Sequence, residues 1–339
     1  MILAMRTRSA HRLIAVAAGV SLAASAATGT ISNSAGAQEN PEWLTVVNAY
    51  RTSAGLPALT NDAALQRGVD LHVQYLSTTG SLQHGESTSS ALFTNEGNLA
   101  GQQSLLGGTT GGTKTDRELI DGWMVAPFHS IHLFEPRLTR TAFASVQGLS
   151  GRALPSAAVL NIIGGIGPRK TPDRAIVFPG RDSVVPLTTF AVETPDPLTS
   201  CPGYEAPAGM GLVVIFNEPA PLASATLATA DGVALESCVI DGSYRNPNAS
   251  AQATVRTILG QKNGVVVIPR LPLTPGTTYR ATVAAGRQSV EWSFGVSTPG
   301  GPLPTPAASV VVLSEKSGSP KTKGPKSSKS PSKTTVKRK

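Results

Sequence analysis

The chain is poor in cysteine and in charge, and each shortage excludes a class of protein. Two cysteines among 339 residues exclude a disulfide-dense mini-protein and a zinc finger built on four cysteines. Only 15% of the residues are charged, whereas 40% are hydrophobic. That balance allows packed cores and excludes a chain that is disordered throughout. The length fits about two domains.

The central part of the chain lacks an excess of positive charge, although the whole chain has a formal net charge of +8. Residues 38–314 carry 17 basic and 20 acidic side chains, so the positive excess lies at the two ends. A mildly acidic body offers no basic surface to a polynucleotide. We therefore expect no specific nucleic-acid partner.

Only one segment is apolar enough to enter a membrane, and it lies near the N-terminus. Three arginines precede an apolar run from Leu13 to Ala27, and the small-residue triplet Ala35-Gly36-Ala37 follows it. A run of about 15 residues is short for a bilayer span. The pattern predicts a signal peptide over residues 1–37, and hence a secreted protein whose mature chain has no transmembrane segment. The alternative is an uncleaved anchor.

Export into an oxidising compartment allows the two cysteines to form a disulfide. Cys201 and Cys238 fall in the same predicted domain, and a bridge between them closes a loop of about 37 residues. We predict this bridge, with two free buried thiols as the alternative.

Helical periodicity dominates residues 39–167, which we predict to be a mixed α/β domain. Trp43, Val46, Val47 and Tyr50 follow the i, i+3, i+4, i+7 spacing of one helix face. Further helices are predicted over 65–76, after a capping box at 115–118, and over 128–134, with strands over 142–146 and 159–163. The Gly/Thr-rich stretch 101–112 is predicted to be a loop.

A period of two dominates residues 190–298, which we predict to be an all-β, immunoglobulin-like sandwich. Turn signals such as Asp231-Gly232 separate several short apolar stretches there. Tyr279, Trp292 and Phe294 are expected to pack its core. A Pro-rich connection over 168–189 joins the two predicted domains.

The tail, residues 299–339, is rich in Pro, Ser, Lys and Gly and is predicted to be disordered. Its cations suit electrostatic retention on an anionic polymer of the cell envelope, and the alternative is a merely solvated end. The basic residues concerned are Lys316, Lys321, Lys323, Lys326, Lys329, Lys333, Lys337, Arg338 and Lys339.

A series of short motifs in the first domain resembles the CAP superfamily of cysteine-rich secretory, antigen 5 and pathogenesis-related-1 proteins, in its bacterial secreted form. The motifs are Asn48-Ala-Tyr-Arg51, His84, Glu96-Gly-Asn-Leu-Ala100, Trp123 and Ala126-Pro-Phe-His129. Each motif is weak alone, but their order and spacing are fairly specific. The resemblance implies an α-β-α sandwich with a cavity to which His84 and His129 contribute.

The resemblance also implies carboxylates beside these histidines, and here the sequence departs from the family. The family glutamate stands in Gly-Glu-Asn, whereas this chain has Glu96-Gly97-Asn98, which displaces Glu96 by one position. Glu86, two residues after His84, is a second candidate. Two imidazoles with one or two carboxylates suit a divalent metal such as zinc. The alternative is a hydrogen-bonded polar cluster without metal.

The remaining candidates are expected to be structural. His72 is predicted to lie at the edge of the core, and Trp123 to pack inside it. His132 can share a helix face with His129, but the family points to His129 only.

The predicted function is that of a secreted or envelope-retained binding protein whose ligand is a lipid, a glycan or an envelope protein. The alternatives are a metal-dependent hydrolase using His84 and His129, and a structural envelope protein with an inert cleft. The sequence has neither a Gly-x-Ser-x-Gly nor a His-Glu-x-x-His motif.

Overall fold

Helices and strands are assigned here from a computed structural model that describes residues 40–168 and 172–305. The predicted signal peptide and residues 306–339 of the predicted tail lie outside this part of the chain. The described helices are α1 Glu42–Ser53, α2 Ala63–Thr79, α3 Asn95–Gln102, α4 Asp116–Val125, α5 Pro127–Leu133 and α6 Ala249–Lys262, with a short 3₁₀ helix at Pro197–Ser200. No helix among the described residues is both long and apolar enough to cross a bilayer.

Residues 40–168, here called the helical region, contain five of these helices and one central sheet. Its strands are β1 Thr60–Asn61, β2 Ser104–Thr109, β3 Arg140–Thr141, β4 Phe143–Val146 and β5 Ser156–Asn161. Strands β2, β5 and β4 form an antiparallel sheet in that order, and β1 pairs with β3 in parallel. The predicted loop at 101–112 therefore contains a strand, β2, which pairs through its backbone along the whole length of β5.

The helices begin and end where the local chemistry favours it. The side chain of Asp62 accepts a hydrogen bond from the backbone N–H of Ala64 and starts α2, which ends at Gly80 with a left-handed φ of 74°. Thr115 and Glu118 form the predicted capping box of α4, in which each side chain bonds the other's backbone N–H. The predicted capping box of α4 is confirmed, whereas α2 is capped by Asp62 and not by Thr60 or Asn61, the two caps that the sequence favours.

Both faces of the central sheet are buried, as the side chains of strand β5 show. Ala157 and Val159 pack with the apolar face of α2, whereas Ala158 and Leu160 point to the opposite face, in the cluster that contains Trp43. Alternate residues of a strand point to opposite sides of a sheet, so one strand serves two helix layers. Trp123 is 4% exposed, as predicted for a core residue.

Residues 172–305, here called the β-rich region, form two larger sheets and one smaller one. The strands are β6 Ile176–Phe178, β7 Val184–Val185, β8 Thr189–Phe190, β9 Ala208–Gly209, β10 Leu212–Ile215, β11 Ala223–Thr229, β12 Ala234–Leu235, β13 Ser237–Ile240, β14 Gly264–Pro269, β15 Thr278–Ala285 and β16 Gln288–Val296. One sheet has the order β13-β14-β10-β6, the second has the order β12-β11-β15-β16-β7, and β8 pairs with β9.

The predicted disulfide between Cys201 and Cys238 is present and joins the 3₁₀ helix segment to β13. Tyr279, Trp292 and Phe294 are buried, as expected for core residues. Helix α6, between β13 and β14, is an element that the strand pattern did not predict.

One apolar cluster runs through both regions. It includes Trp43 and Phe128 of the helical region together with Val213, Val265 and Phe294 of the β-rich region. Strands β6 and β7, which lie within the predicted Pro-rich connection, take part in the two sheets of the β-rich region. The domain boundaries stay predictions, but the two predicted domains share a core across this boundary.

Candidate functional site

His84 lies in the loop between α2 and α3 and is exposed. Its Nδ1 atom is 2.9 Å from the backbone oxygen of Gly101, at the end of α3. A carbonyl oxygen only accepts hydrogen bonds, so Nδ1 carries the proton and donates it. Nε2 then holds a free lone pair, and no described residue hydrogen-bonds to it.

His129 lies on α5, and its side chain is 25% exposed. Its Nδ1 atom is 2.5 Å from Oε1 of Glu193, a residue of the β-rich region. Nε2 has no hydrogen-bond partner among the described residues. The two histidines that the family resemblance singles out therefore share one arrangement, in which Nδ1 is engaged and Nε2 is not.

Glu193 is buried, and its carboxylate accepts three hydrogen bonds from the first turn of α5. Oε1 also accepts the backbone N–H of His129 at 2.8 Å, and Oε2 accepts that of Phe128 at 3.2 Å. Burial raises the pKa of Glu193, whereas these hydrogen bonds and the neighbouring His129 oppose that rise.

His132 occupies the next turn of α5, and its pKa is affected by His84 and His129. Burial lowers the pKa of His132 to about 3, and the charges of Lys262, His129 and His84 act in the same direction. A ring with this pKa is neutral at physiological pH. The structure thus places a half-buried, neutral imidazole one turn after His129.

His72 and Glu86 form a separate, fully buried pair. His72 Nδ1 is 3.0 Å from Glu86 Oε1, its Nε2 is 3.2 Å from the backbone oxygen of Gln83, and Glu86 Oε2 accepts the N–H of Thr94. Both ring nitrogens of His72 and both oxygens of Glu86 are occupied. The pair ties the His84 loop to α2, and Glu86 does not have a free oxygen to offer beside His84.

Glu96 is exposed on α3 and pairs with Arg67 of α2, with 2.8 Å between Oε2 and Nε. Its side chain therefore points over the outer face of α2. Of the four residues predicted for the site, His84 and His129 keep a free ring edge, whereas Glu86 and Glu96 are engaged with other partners.

His84 and His129 each have an imidazole nitrogen without a described partner, but the described residues do not supply a complete ligand set for a metal. No group of three or more His, Cys, Asp or Glu side chains within 40–168 and 172–305 is arranged to hold a metal ion. A closed structural zinc site needs four protein ligands, so that kind of site does not fit. A divalent cation held by His84 and His129 alone would keep open positions for water or a ligand, and this site stays a prediction.

Arg51 holds the other end of α5. Its guanidinium is fully buried and donates to the backbone oxygens of Leu133, Glu135 at 3.2 Å and Leu138 at 3.0 Å. Burial lowers the pKa of Arg51 to about 10. A cation at a helix C-terminus satisfies carbonyl groups that lack partners within the helix. The arginine of the Asn48-Ala-Tyr-Arg51 motif therefore positions the helix that carries His129.

Residues 44–161 match the family model of the cysteine-rich secretory protein family, CAP. This segment of the chain is a domain of that family, and the resemblance drawn from its motifs is confirmed. A search of curated proteins gives no match to the chain. Glu193 lies outside the matched segment, and no motif in the sequence around it indicates that its side chain reaches His129.

Proposed function

We propose that the chain is a secreted binding protein whose CAP domain holds a ligand through His84 and His129 together. The observation that carries the proposal is their shared geometry, since each ring contacts a fixed oxygen through Nδ1 and has no described partner at Nε2. Fixing the tautomer through one nitrogen prepares the other to accept from a ligand or to coordinate a cation.

Exposed apolar side chains adjoin the His84 loop and favour a ligand with an apolar part over a glycan. Leu82, two residues before His84, is 47% exposed, and Leu99 on α3 is 55% exposed. Single exposed leucines are ordinary, but two of them flanking a candidate binding residue make a lipid or the apolar face of an envelope protein the better expectation.

Secretion and retention at the envelope belong to the same proposal. The disulfide between Cys201 and Cys238 supports an oxidising compartment, and the N-terminal pattern supports export. The basic residues from Lys316 onwards support retention on an anionic polymer, and salt would weaken that retention. Removing residues 315–339 would release the protein from the envelope if the tail retains it.

The β-rich region is proposed to be an immunoglobulin-like sandwich with an inserted helix. Contacts of β11, from one of the larger sheets, with β13 and β14 of the other support this arrangement. Helix α6 packs on β14 and enters the core through Val255 and Leu259.

Zinc titration by calorimetry tests the shared site, with the full chain beside His84→Ala and His129→Ala. Zinc serves as a probe because imidazole nitrogens coordinate it, and a site shared by the two histidines needs the Nε2 atoms of both. We expect each substitution alone to abolish most of the binding heat. Glu205→Gln is the matched control, since Glu205 is an exposed polar residue outside the site.

The opposite result has a clear meaning. Zinc binding that survives either substitution, or a parent that binds no zinc while circular dichroism shows it folded, would overturn a site shared by the two histidines. The inert-cleft alternative would then be favoured.

A further inference from the structure

The helix that carries His129 packs in part against the β-rich region, outside the matched family segment. A Cβ atom on Gly211 would lie 2.9 Å from the Pro127 side chain, and one on Gly264 would lie 2.5 Å from Ile131 Cδ1. Gly211, which directly precedes β10, and Gly264, the first residue of the adjacent strand β14, thus let the backbone approach α5 closely.

Aromatic and charged contacts add to this support. The rings of Phe128 and Tyr244 meet edge to face with centroids 5.7 Å apart. Lys262 of α6 donates to Glu135, just beyond the end of α5, at 2.8 Å. Residues 172–305 therefore contact the helix at its start and in its middle, and they contact Glu135 just beyond its end.

Glu193 is the contact that reaches the functional atom. Its Oε1 accepts both the backbone N–H and the ring Nδ1 of His129, and its Oε2 accepts the N–H of Phe128. A side chain that receives three N–H donors is satisfied as a carboxylate, because a carboxylic acid would have to present its own proton to one of them.

We propose that Glu193 is a positioning residue that fixes His129 in the Nδ1–H tautomer, so that the β-rich region completes the CAP-domain site instead of merely spacing it. The inference rests on the proposed function only in taking His129 as a ligand-facing residue. It assigns to Glu193 an effect on a neighbouring ring that burial and packing alone would not produce.

The test is long-range ¹H–¹⁵N NMR of the full chain with labelled histidine, at a pH where the ring of His129 is neutral. We expect the parent to show Nδ1 protonated and Nε2 bare. Glu193→Gln keeps an oxygen that can accept from Nδ1, so the tautomer should be retained. Glu193→Ala removes the acceptor, and the ring should shift towards the Nε2–H form.

Asp241→Asn is the matched control. Asp241 is also buried in the β-rich region and accepts two backbone N–H groups, from Ala223 and Ser243 at 2.8 Å each, but no histidine. This variant should leave the His129 signals as in the parent. If the variants at Glu193 fail to fold, the parent spectrum alone remains decisive.

A parent with the Nε2–H tautomer, or an unchanged tautomer in folded Glu193→Ala, would overturn the proposal. These outcomes are independent of any ligand. A parent with the expected tautomer that binds no zinc would count against the shared ligand site and not against the role of Glu193.

Discussion

Two histidine–glutamate pairs occur in the part of the chain that the structure describes, and they differ in which ring nitrogens they leave without a partner. In the pair His72–Glu86, both side chains are fully buried and every nitrogen and oxygen has a partner. In the pair His129–Glu193, the carboxylate is equally buried, but the imidazole is 25% exposed and its Nε2 is free.

The difference separates a pair with no free nitrogen from one that leaves a ring nitrogen open to a ligand, and it depends on the ring nitrogens rather than on residue type. A histidine with both nitrogens engaged holds a loop, as His72 holds the segment that presents His84. A histidine with one nitrogen engaged has a fixed orientation and an unused lone pair. The two pairs also differ in sequence separation: the histidine and the glutamate are 14 residues apart in the first pair and 64 in the second.

The largest effect is expected from breaking the structural pair. Glu86→Ala leaves His72 buried without its carboxylate, and removing one member of a buried pair costs about 3–5 kcal/mol. Urea unfolding measures the loss. A change below about 1 kcal/mol would show that the His72–Glu86 pair does not hold the loop.

A smaller effect is expected at Gly101, which lies close both to the buried His72 and to the exposed His84. A Cβ atom on Gly101 would collide with Cε1 of His72 and with the backbone oxygen of His84. Gly101→Ala should therefore cost about 1–3 kcal/mol, as overpacking does. Gly111→Ala is the control, since nothing lies within 4 Å of a Cβ there. Equal stability of the two variants would contradict the close approach.

The pH dependence of stability is expected to reveal His132. Its folded-state pKa is lowered to about 3, so below the ordinary value of 6.5 the unfolded chain takes up the proton first. The stability that this neutral ring provides is complete above pH 6.5 and is lost as pH falls towards 3, at up to about 1.4 kcal/mol per pH unit.

His132→Gln removes this proton uptake and should flatten the profile between pH 6.5 and the region where carboxylates titrate. Unfolding by urea at a series of pH values measures the slope. If the variant lost stability with falling pH as steeply as the parent, the folded chain would not keep the ring of His132 neutral.

The smallest effect is expected at the exposed pair. Glu96 and Arg67 have side chains that are 46% and 76% exposed, and pairs of this kind contribute less than about 1 kcal/mol. Glu96→Ala should leave both stability and zinc binding near those of the parent. A loss of zinc binding would return Glu96 to the site that the family resemblance implied.

The sequence predicted the helical region well where amphipathic spacing and capping were strong. Helix α1 follows its four apolar residues, and α4 starts at its capping box. Helix α6 was not predicted, because only Val255 and Leu259 are buried among its 14 residues, too few for a recognisable apolar face. Strand β2 was not predicted, because its two glycines are typical of a loop.

The site was predictable only in part. His84 and His129 came from the order of the family motifs, and the structure shows both with a free ring edge. Glu193 was not predictable, because a contact across 64 residues leaves no local pattern in a single sequence. Glu86 was identified by its nearness to His84 in the chain, but its side chain points to His72.

A double-mutant cycle tests most directly whether the β-rich region holds the functional histidine. The free energy of unfolding is measured for His129→Ala, Glu193→Ala and the double variant. We predict a coupling of about 0.5–3 kcal/mol between the two positions, as residues in direct contact show. The same cycle between His129 and Glu96, which share no partner, should be additive within about 0.5 kcal/mol. Additive effects of His129→Ala and Glu193→Ala would contradict the account.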